Sequence, residues 1–200
     1  MLVLSSPSGA GKTTLSRRLL QAEPQLEFSV SATTRPKRPA ETEGRDYHFV
    51  SEEQFAQMRE RGGLLEHSEI YGHHYGTPGA QVEAVLHSGH DMIFELDAKG
   101  MHALKAAKPE DVVSVFILPP SVEELTLRLR SRAQDDEATL QRRLARVSEE
   151  LKHWDEYDYV IVNQTLDVAQ HELSEILHAE RQRRHRRTGL HAFVSRLIQP

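Results

Sequence analysis

Two periods of apolar and polar positions alternate along the chain. Met1 to Leu4, Met92 to Asp97, Val112 to Leu118 and Tyr159 to Val162 are short apolar or alternating runs, the pattern of strands. Val112 to Leu118 is long enough for a strand buried on both faces, as in a parallel sheet. Between these runs the apolar spacing is helical. Leu15, Leu19 and Leu20 follow the first strand, and Pro78 starts a helix that runs to about Ser88. Ser51 with Gln54, and Ser121 with Glu124, have the spacing of capping boxes that launch helices. A last helix is predicted from Leu166 to about Arg187, with Leu166, Ala169, Leu173, Ile176 and Leu177 on one stripe. Strand and helix in alternation predict an α/β fold with a parallel sheet flanked by helices.

Two stretches interrupt that rhythm. Phe28 to Ala32 reads as a short strand, Thr33 to Asp46 as a charged loop rich in breakers, Tyr47 to Val50 as a strand, and Leu64 to Thr77 as a hairpin about Gly72. Together they predict a small strand-rich lobe. The second interruption is a helical pair. One helix carries Arg128, Arg130 and Arg132, Asp135-Asp136 break the chain, and a polar helix from about Glu137 to Trp154 carries Arg142, Arg143 and Arg146. Its composition predicts a mobile hairpin. Beyond the basic run Arg181 to Arg187, read as a solvated helix end, Leu190, Phe193, Val194, Leu197 and Ile198 return to helical spacing. That segment is expected to pack on the core or on another subunit.

Composition narrows the class. The 200 residues carry a net charge of −5 and no cysteine, which predicts a globular protein of a reducing compartment with no charge bias toward nucleic acid. No apolar run approaches a membrane span. The expected location is the cytoplasm, with no membrane partner. The adjacent His73 and His74 point to opposite faces of a strand, which argues against a shared metal.

The chemistry is concentrated in Ser6, Pro7, Ser8, Gly9, Ala10, Gly11, Lys12, Thr13 and Thr14, between the first strand and the first helix. A phosphate-cradling loop has Gly, four open positions, then Gly-Lys-Ser/Thr. Here Gly11-Lys12-Thr13 supplies the second half, and Ser6 stands where the first Gly is expected. Gly9 and Gly11 let the backbone approach a polyphosphate, N–H groups at the helix start point at its oxygens, Lys12 adds charge and Thr13 a hydroxyl for Mg²⁺. Glu95 and Asp97 share one face at the end of a core strand.

The chain resembles guanylate kinases. The resemblance rests on the loop just described, on Ser31-Ala-Thr-Thr-Arg35 with Arg38, Gly44 and Asp46-Tyr47, on Glu66 with Tyr75-Gly76-Thr77, on Asp97 with Gly100, and on the arginine-bearing helices. It implies a P-loop core (residues 1–32, 79–119 and 153–200), a GMP-binding lobe (33–78) and an arginine lid (120–152), in one unit over 1–180. The activity implied is Mg²⁺-dependent transfer of the ATP γ-phosphoryl group to GMP, and to dGMP. Ser31, Arg35, Arg38 and Tyr47 are then a clamp on the GMP phosphate, with hydroxyls beside two guanidiniums suiting a dianion. Glu66 becomes the guanine reader, because guanine offers two adjacent N–H donors where adenine offers one donor and one acceptor. Thr77 assists it, Tyr75 joins the pocket or the clamp, and Asp97 is assigned to the acceptor site, with the choice for Glu95 and Asp97 between organising Mg²⁺-bound water and reaching the guanine amino group left open. Lys12, Arg35, Arg128, Arg132 and Arg143 are the implied catalytic cations, and Asn163 is a candidate for packing near the adenine.

Three other readings bear on the same residues. Asp97-Ala-Lys-Gly100 fits the Asp-x-x-Gly of GTPases, but no Asn-Lys-x-Asp motif follows. A binding module that has lost catalysis would not require Lys12, Thr13 and the lid arginines. A ribose-phosphate kinase would have no use for Glu66.

Overall fold

The computed structural model describes residues 1–200 apart from 40, 71, 133–136 and 200, and leaves aside the side chains of 131–143. In chain order the first elements are β1 (Leu2–Ser5), α1 (Lys12–Ala22), β2 (Leu26–Phe28), β3 (Ala32–Thr33), β4 (His48–Phe49) and α2 (Glu52–Glu60). Next come β5 (Leu64–Ile70), β6 (His73–Pro78), α3 (Gly79–His87), β7 (Asp91–Glu95), α4 (Ala98–Ala107) and β8 (Val113–Leu118). The chain finishes with α5 (Val122–Arg132), α6 (Glu137–Leu151), β9 (Tyr159–Val162), α7 (Leu166–Arg181) and α8 (Leu190–Ile198). No helix among the described residues is long and apolar enough to cross a membrane.

The main sheet is parallel, in the order β2-β7-β1-β8-β9. Its central strands β7, β1 and β8 are buried on both faces because helices cover both. Leu2, Leu4, Ile93, Val113, Val115, Ile117 and Ile161 pack against Leu15 and Leu19 of α1 and Ala169, Leu173 and Leu177 of α7. One residue out of phase, Val3, Met92, Phe94 and Phe116 pack against Val82 and Val85 of α3 and Met101 and Leu104 of α4. Burial of this kind contributes about 1.5–3 kcal/mol per large side chain.

The second sheet has the order β4-β3-β6-β5, with β3 and β4 parallel and the other pairs antiparallel. It holds the segment read as a strand-rich lobe, with the buried Phe55 of α2 stacked on His74. A register shift between Leu64 and Glu66 puts Glu66 opposite Thr77. Such a bulge re-aims a side chain, and here the re-aimed group is a carboxylate buried to 5% exposure.

Two predicted elements are corrected. Phe28 to Ala32 is not one strand: β2 ends at Phe28 and β3 begins at Ala32 in the other sheet. Over the intervening residues, Ser29 N–H still donates to Ile93 O while Ser31 O already accepts from His48 N–H. An alternating run such as Phe28-Ser-Val-Ser-Ala32 cannot record that its backbone partners change midway. The helix predicted to reach Arg187 ends at Arg181, which is tied to Asp91 and Glu23. Arg186 is then drawn back onto Glu180 and the Asp111 carbonyl, and the chain turns at Gly189, with φ of 81°, into α8.

Candidate active site

At the carboxyl end of β1 the chain leaves the sheet, turns, and re-enters regular structure at Lys12. Gly9 and Gly11 take left-handed conformations, with φ of 91° and 104°. Each is closely covered. A Cβ on Gly9 would lie 3.0–3.2 Å from Leu125 and Leu129 of α5, and one on Gly11 would lie 2.4 Å from Asn163 Nδ2. Asn163 is fully buried, and its Nδ2 donates to Ala10 O at 2.7 Å. It supports the loop from beneath. The loop is thereby fixed with its amides at the N-terminus of α1, the geometry that favours a bound anion.

Glu95 closes the floor beside this cradle. Thr13 Oγ1 donates to its Oε2 at 2.9 Å and Ser16 Oγ to its Oε1 at 2.5 Å. The Thr13 hydroxyl therefore spends its proton on Glu95 and keeps its lone pairs for a cation. A hydroxyl and a carboxylate are the hard oxygen donors that fit Mg²⁺. Asp97, two residues on, is the N-cap of α4, accepting from Gly100 N–H at 2.9 Å, and both acids line the same cavity.

The opposite wall belongs to the small sheet. Glu66 Oε1 accepts from Thr77 Oγ1 at 2.6 Å within the buried floor. Burial, with the Asp97 charge adding to it, pushes the Glu66 carboxyl up to about 6. A Cβ on Gly100 would meet Glu66 Oε2 at 3.2 Å, so the glycine leaves room for that carboxylate. Arg35 forms a two-pronged ion pair with Glu41, at 2.7 and 3.1 Å, while its guanidinium lies 5.3 Å from the Tyr47 ring and 5.8 Å from that of Phe49. Arg38 N–H donates to the same carboxylate at 2.8 Å. Glu41, held well below the usual carboxylate range chiefly by Arg35, is the internal counter-ion of this pair.

Both walls line one cavity of about 860 Å³. It brings together Ser6, Pro7, Ser8, Gly9, Gly11, Lys12 and Thr13 with Ser31, Arg35, Arg38, Tyr47, Glu66, Tyr75 and Asp97. Ala10 is buried under the loop, Thr77 is buried against Glu66, and Thr14 does not line the cavity. Arg128 is not brought to the lining; its Nε donates to Glu124 within α5 at 2.8 Å. The side chains of Arg132 and Arg143 lie outside the described residues. Sequence reasoning missed Glu41, Glu95 as a partner of Thr13, Ser16, and the place on the cavity of three residues of α6, Arg146, Glu149 and Glu150. Glu150 accepts from the Ser8 N–H at 3.3 Å across 142 positions, and burial raises its carboxyl. Only Glu41 had a local signal, since it falls three residues after Arg38 in a loop that carries four cations.

A family model described as guanylate kinase matches residues 1–180. The chain is 54% identical over 197 residues to the guanylate kinase of Nitrobacter winogradskyi, covering 98% of this chain and 90% of that one. It is 52% identical over 195 residues to the guanylate kinase of Cereibacter sphaeroides, covering 97% and 92%. Among solved structures, that of guanylate kinase from Anaplasma phagocytophilum superposes with a TM-score of 0.81 at 34% identity, over 99% of this chain and 94% of that one.

Proposed function

The chain belongs to the guanylate kinase family, and on that premise we propose that it transfers the γ-phosphoryl group of ATP to GMP, giving ADP and GDP. The observation that carries the reading is the buried Glu66, held by Thr77 and opening on the same cavity as the Lys12 loop. A phosphate cradle alone fits many kinases; a carboxylate presented to a base edge selects guanine.

The roles follow from the chemistry. Amides of the loop and Lys12 hold the β- and γ-phosphates of ATP, and Arg35, Arg38, Ser31, Tyr47 and Tyr75 hold the phosphate of GMP. One Glu66 carboxylate accepts both N–H donors of the guanine edge, with Thr77 fixing its orientation and Asp97 alongside. An oxygen of the GMP phosphate then attacks the γ-phosphorus in line, and the bond to the β,γ-bridging oxygen breaks. The second pKa of a phosphate monoester is about 6, so at neutral pH the attacking oxygen carries no proton and no side chain is needed as a base. Thr13, with Glu95 behind it, would hold Mg²⁺, which when bound neutralises charge on the phosphate oxygens. Residues 33–78 act as the acceptor lobe and 120–152 as the lid. From the family pattern, Arg128, Arg132 and Arg143 are assigned to the lid and reach the phosphates on closure.

The test is ADP formation from ATP with GMP, AMP or a ribose bisphosphate as acceptor. Turnover is expected with GMP. Turnover with AMP or the ribose bisphosphate at comparable kcat/KM would remove Glu66 from its role and the reading with it.

A further inference from the structure

Away from the nucleotide cavity, exposed apolar surface is concentrated in two places. Of the ten large apolar side chains exposed among the described residues, four are Phe193, Val194, Leu197 and Ile198 of α8. Three more, Val160, Val162 and Val168, line a single groove along β9 and α7. Seven of ten in two patches is not the single scatter that needs no explanation.

Helix α8 is built to be covered. Leu190, Phe193, Val194, Leu197 and Ile198 fall at i, i+3, i+4, i+7 and i+8, one continuous stripe. None of its residues is buried by its own chain. A helix of nine residues is well below the roughly 12–15 needed for even marginal stability alone in water. The family match ends at residue 180, so α8 lies outside the part shared with that model.

The groove matches it in length, polarity and charge. Strand β9 is an edge of the main sheet, with one row of N–H and C=O groups unpaired in the sheet. Four residues of strand extend about 13 Å, and nine residues of helix about 13.5 Å. The groove, of about 470 Å³, joins Val160, Val162, Val168 and Ile176 to two acids, Glu172 and Glu175. On the other side, the last twenty residues hold six arginines and no acid in a chain whose net charge is −5. Arg196 lies within the last turn of α8. No residue of α8 lines the groove of its own chain, and Arg183 and Arg186 tie the preceding segment to Glu180.

We propose that α8 docks into the β9–α7 groove of a second copy of this chain, with its apolar stripe on the valines and Arg196 beside Glu172 and Glu175. The exchange is reciprocal: a twofold pair covers both helices and both grooves and leaves no patch open for further growth.

Sedimentation velocity of the full chain from about 1 to 200 µM tests this. A monomer–dimer equilibrium is expected. Leu197→Glu and Val168→Glu should each weaken it by roughly 100-fold or more, the cost of burying an unpaired charge in an apolar contact, with kinase turnover as the check on folding. Because the chain has no cysteine, Val168→Cys protein mixed with Leu197→Cys protein should oxidise to a covalent heterodimer. A monomer at every concentration overturns the proposal, as does a dimer that survives both glutamates. So does a cross-link formed within one chain of the double-cysteine variant. Binding of monomer to phosphatidylglycerol vesicles, without self-association, would assign α8 to a lipid surface and overturn it equally.

Discussion

The wall of the cavity that the proposed function gives to the phosphoryl donor, with the facing wall given to the acceptor, is backbone: a turn after a central strand, two left-handed glycines, and amides at a helix start, pinned by Asn163 below and by Leu125 and Leu129 at the side. The acceptor wall is side chains: Arg35 and Arg38 around Glu41, and Glu66 against Thr77, on a sheet two of whose strands are two residues long. Every nucleoside triphosphate offers similar oxygens, so a backbone cradle suffices there. A particular monophosphate must be told from its relatives, which takes directed side-chain groups. The donor wall should therefore fail in an all-or-none way, and the acceptor wall by degrees.

Lys12→Ala breaks the comparison hardest. Loss of about 10³-fold or more in kcat is expected, with GMP binding retained, because a charge on the migrating group is removed while the other wall is untouched. Calorimetric GMP affinity altered as much as turnover would show that the walls are not separable. Glu66→Gln comes next: roughly 100-fold in kcat/KM for GMP, with the KM for ATP within about twofold, since an amide presents one acceptor where guanine needs two. Arg35→Lys is smaller. It should raise the KM for GMP about tenfold by removing the planar fork that Glu41 and the ring of Tyr47 hold in place; equal effects on ATP would contradict the division of labour.

A pH titration sharpens the same contrast. Glu66 has its folded pKa raised from 4.5 to about 6. Its ionised form is thus disfavoured by folding: the penalty is present above pH 6, and it is relieved as pH falls toward 4.5. At most about 2 kcal/mol of stability is gained from this group over that window. Affinity moves the other way, because a protonated Glu66 cannot accept two N–H donors, so the KM for GMP should rise below pH 6. In Glu66→Gln that acid limb should shrink to the part set by the GMP phosphate, whose second pKa is also about 6, and kinetics of both proteins at pH 5.5 and 7.5 decide it. The smallest effect is expected from Thr77→Ser, which keeps the hydroxyl on Glu66 and should leave kcat/KM for GMP within about threefold.

What was legible in the sequence was local. The Lys12 loop needs only its own residues and the periodicities on either side, and the alternation of strand and helix needs nothing further. Ser31, Arg35 and Tyr47 were legible through resemblance, since no period reports that a loop arginine faces a cavity. What escaped depends on side chains meeting across the fold. Glu95 meets Thr13 across 82 positions, Glu150 meets Ser8 across 142, and Asn163 meets Ala10 across 153. The bulge before Glu66 was equally silent, because a one-residue register shift leaves no trace in composition.

The contact between Gly11 and Asn163 has a consequence for how this chain can change. The volume that a side chain at position 11 would need is filled by the amide of position 163, and the φ of 104° forbids such a side chain in any case. Position 11 is fixed by its dihedral angle, and position 163 by the space that position 11 leaves. A change at 163 is therefore expected to be felt by the loop 152 residues earlier in the chain, and a second change at 11 offers no route to repair it.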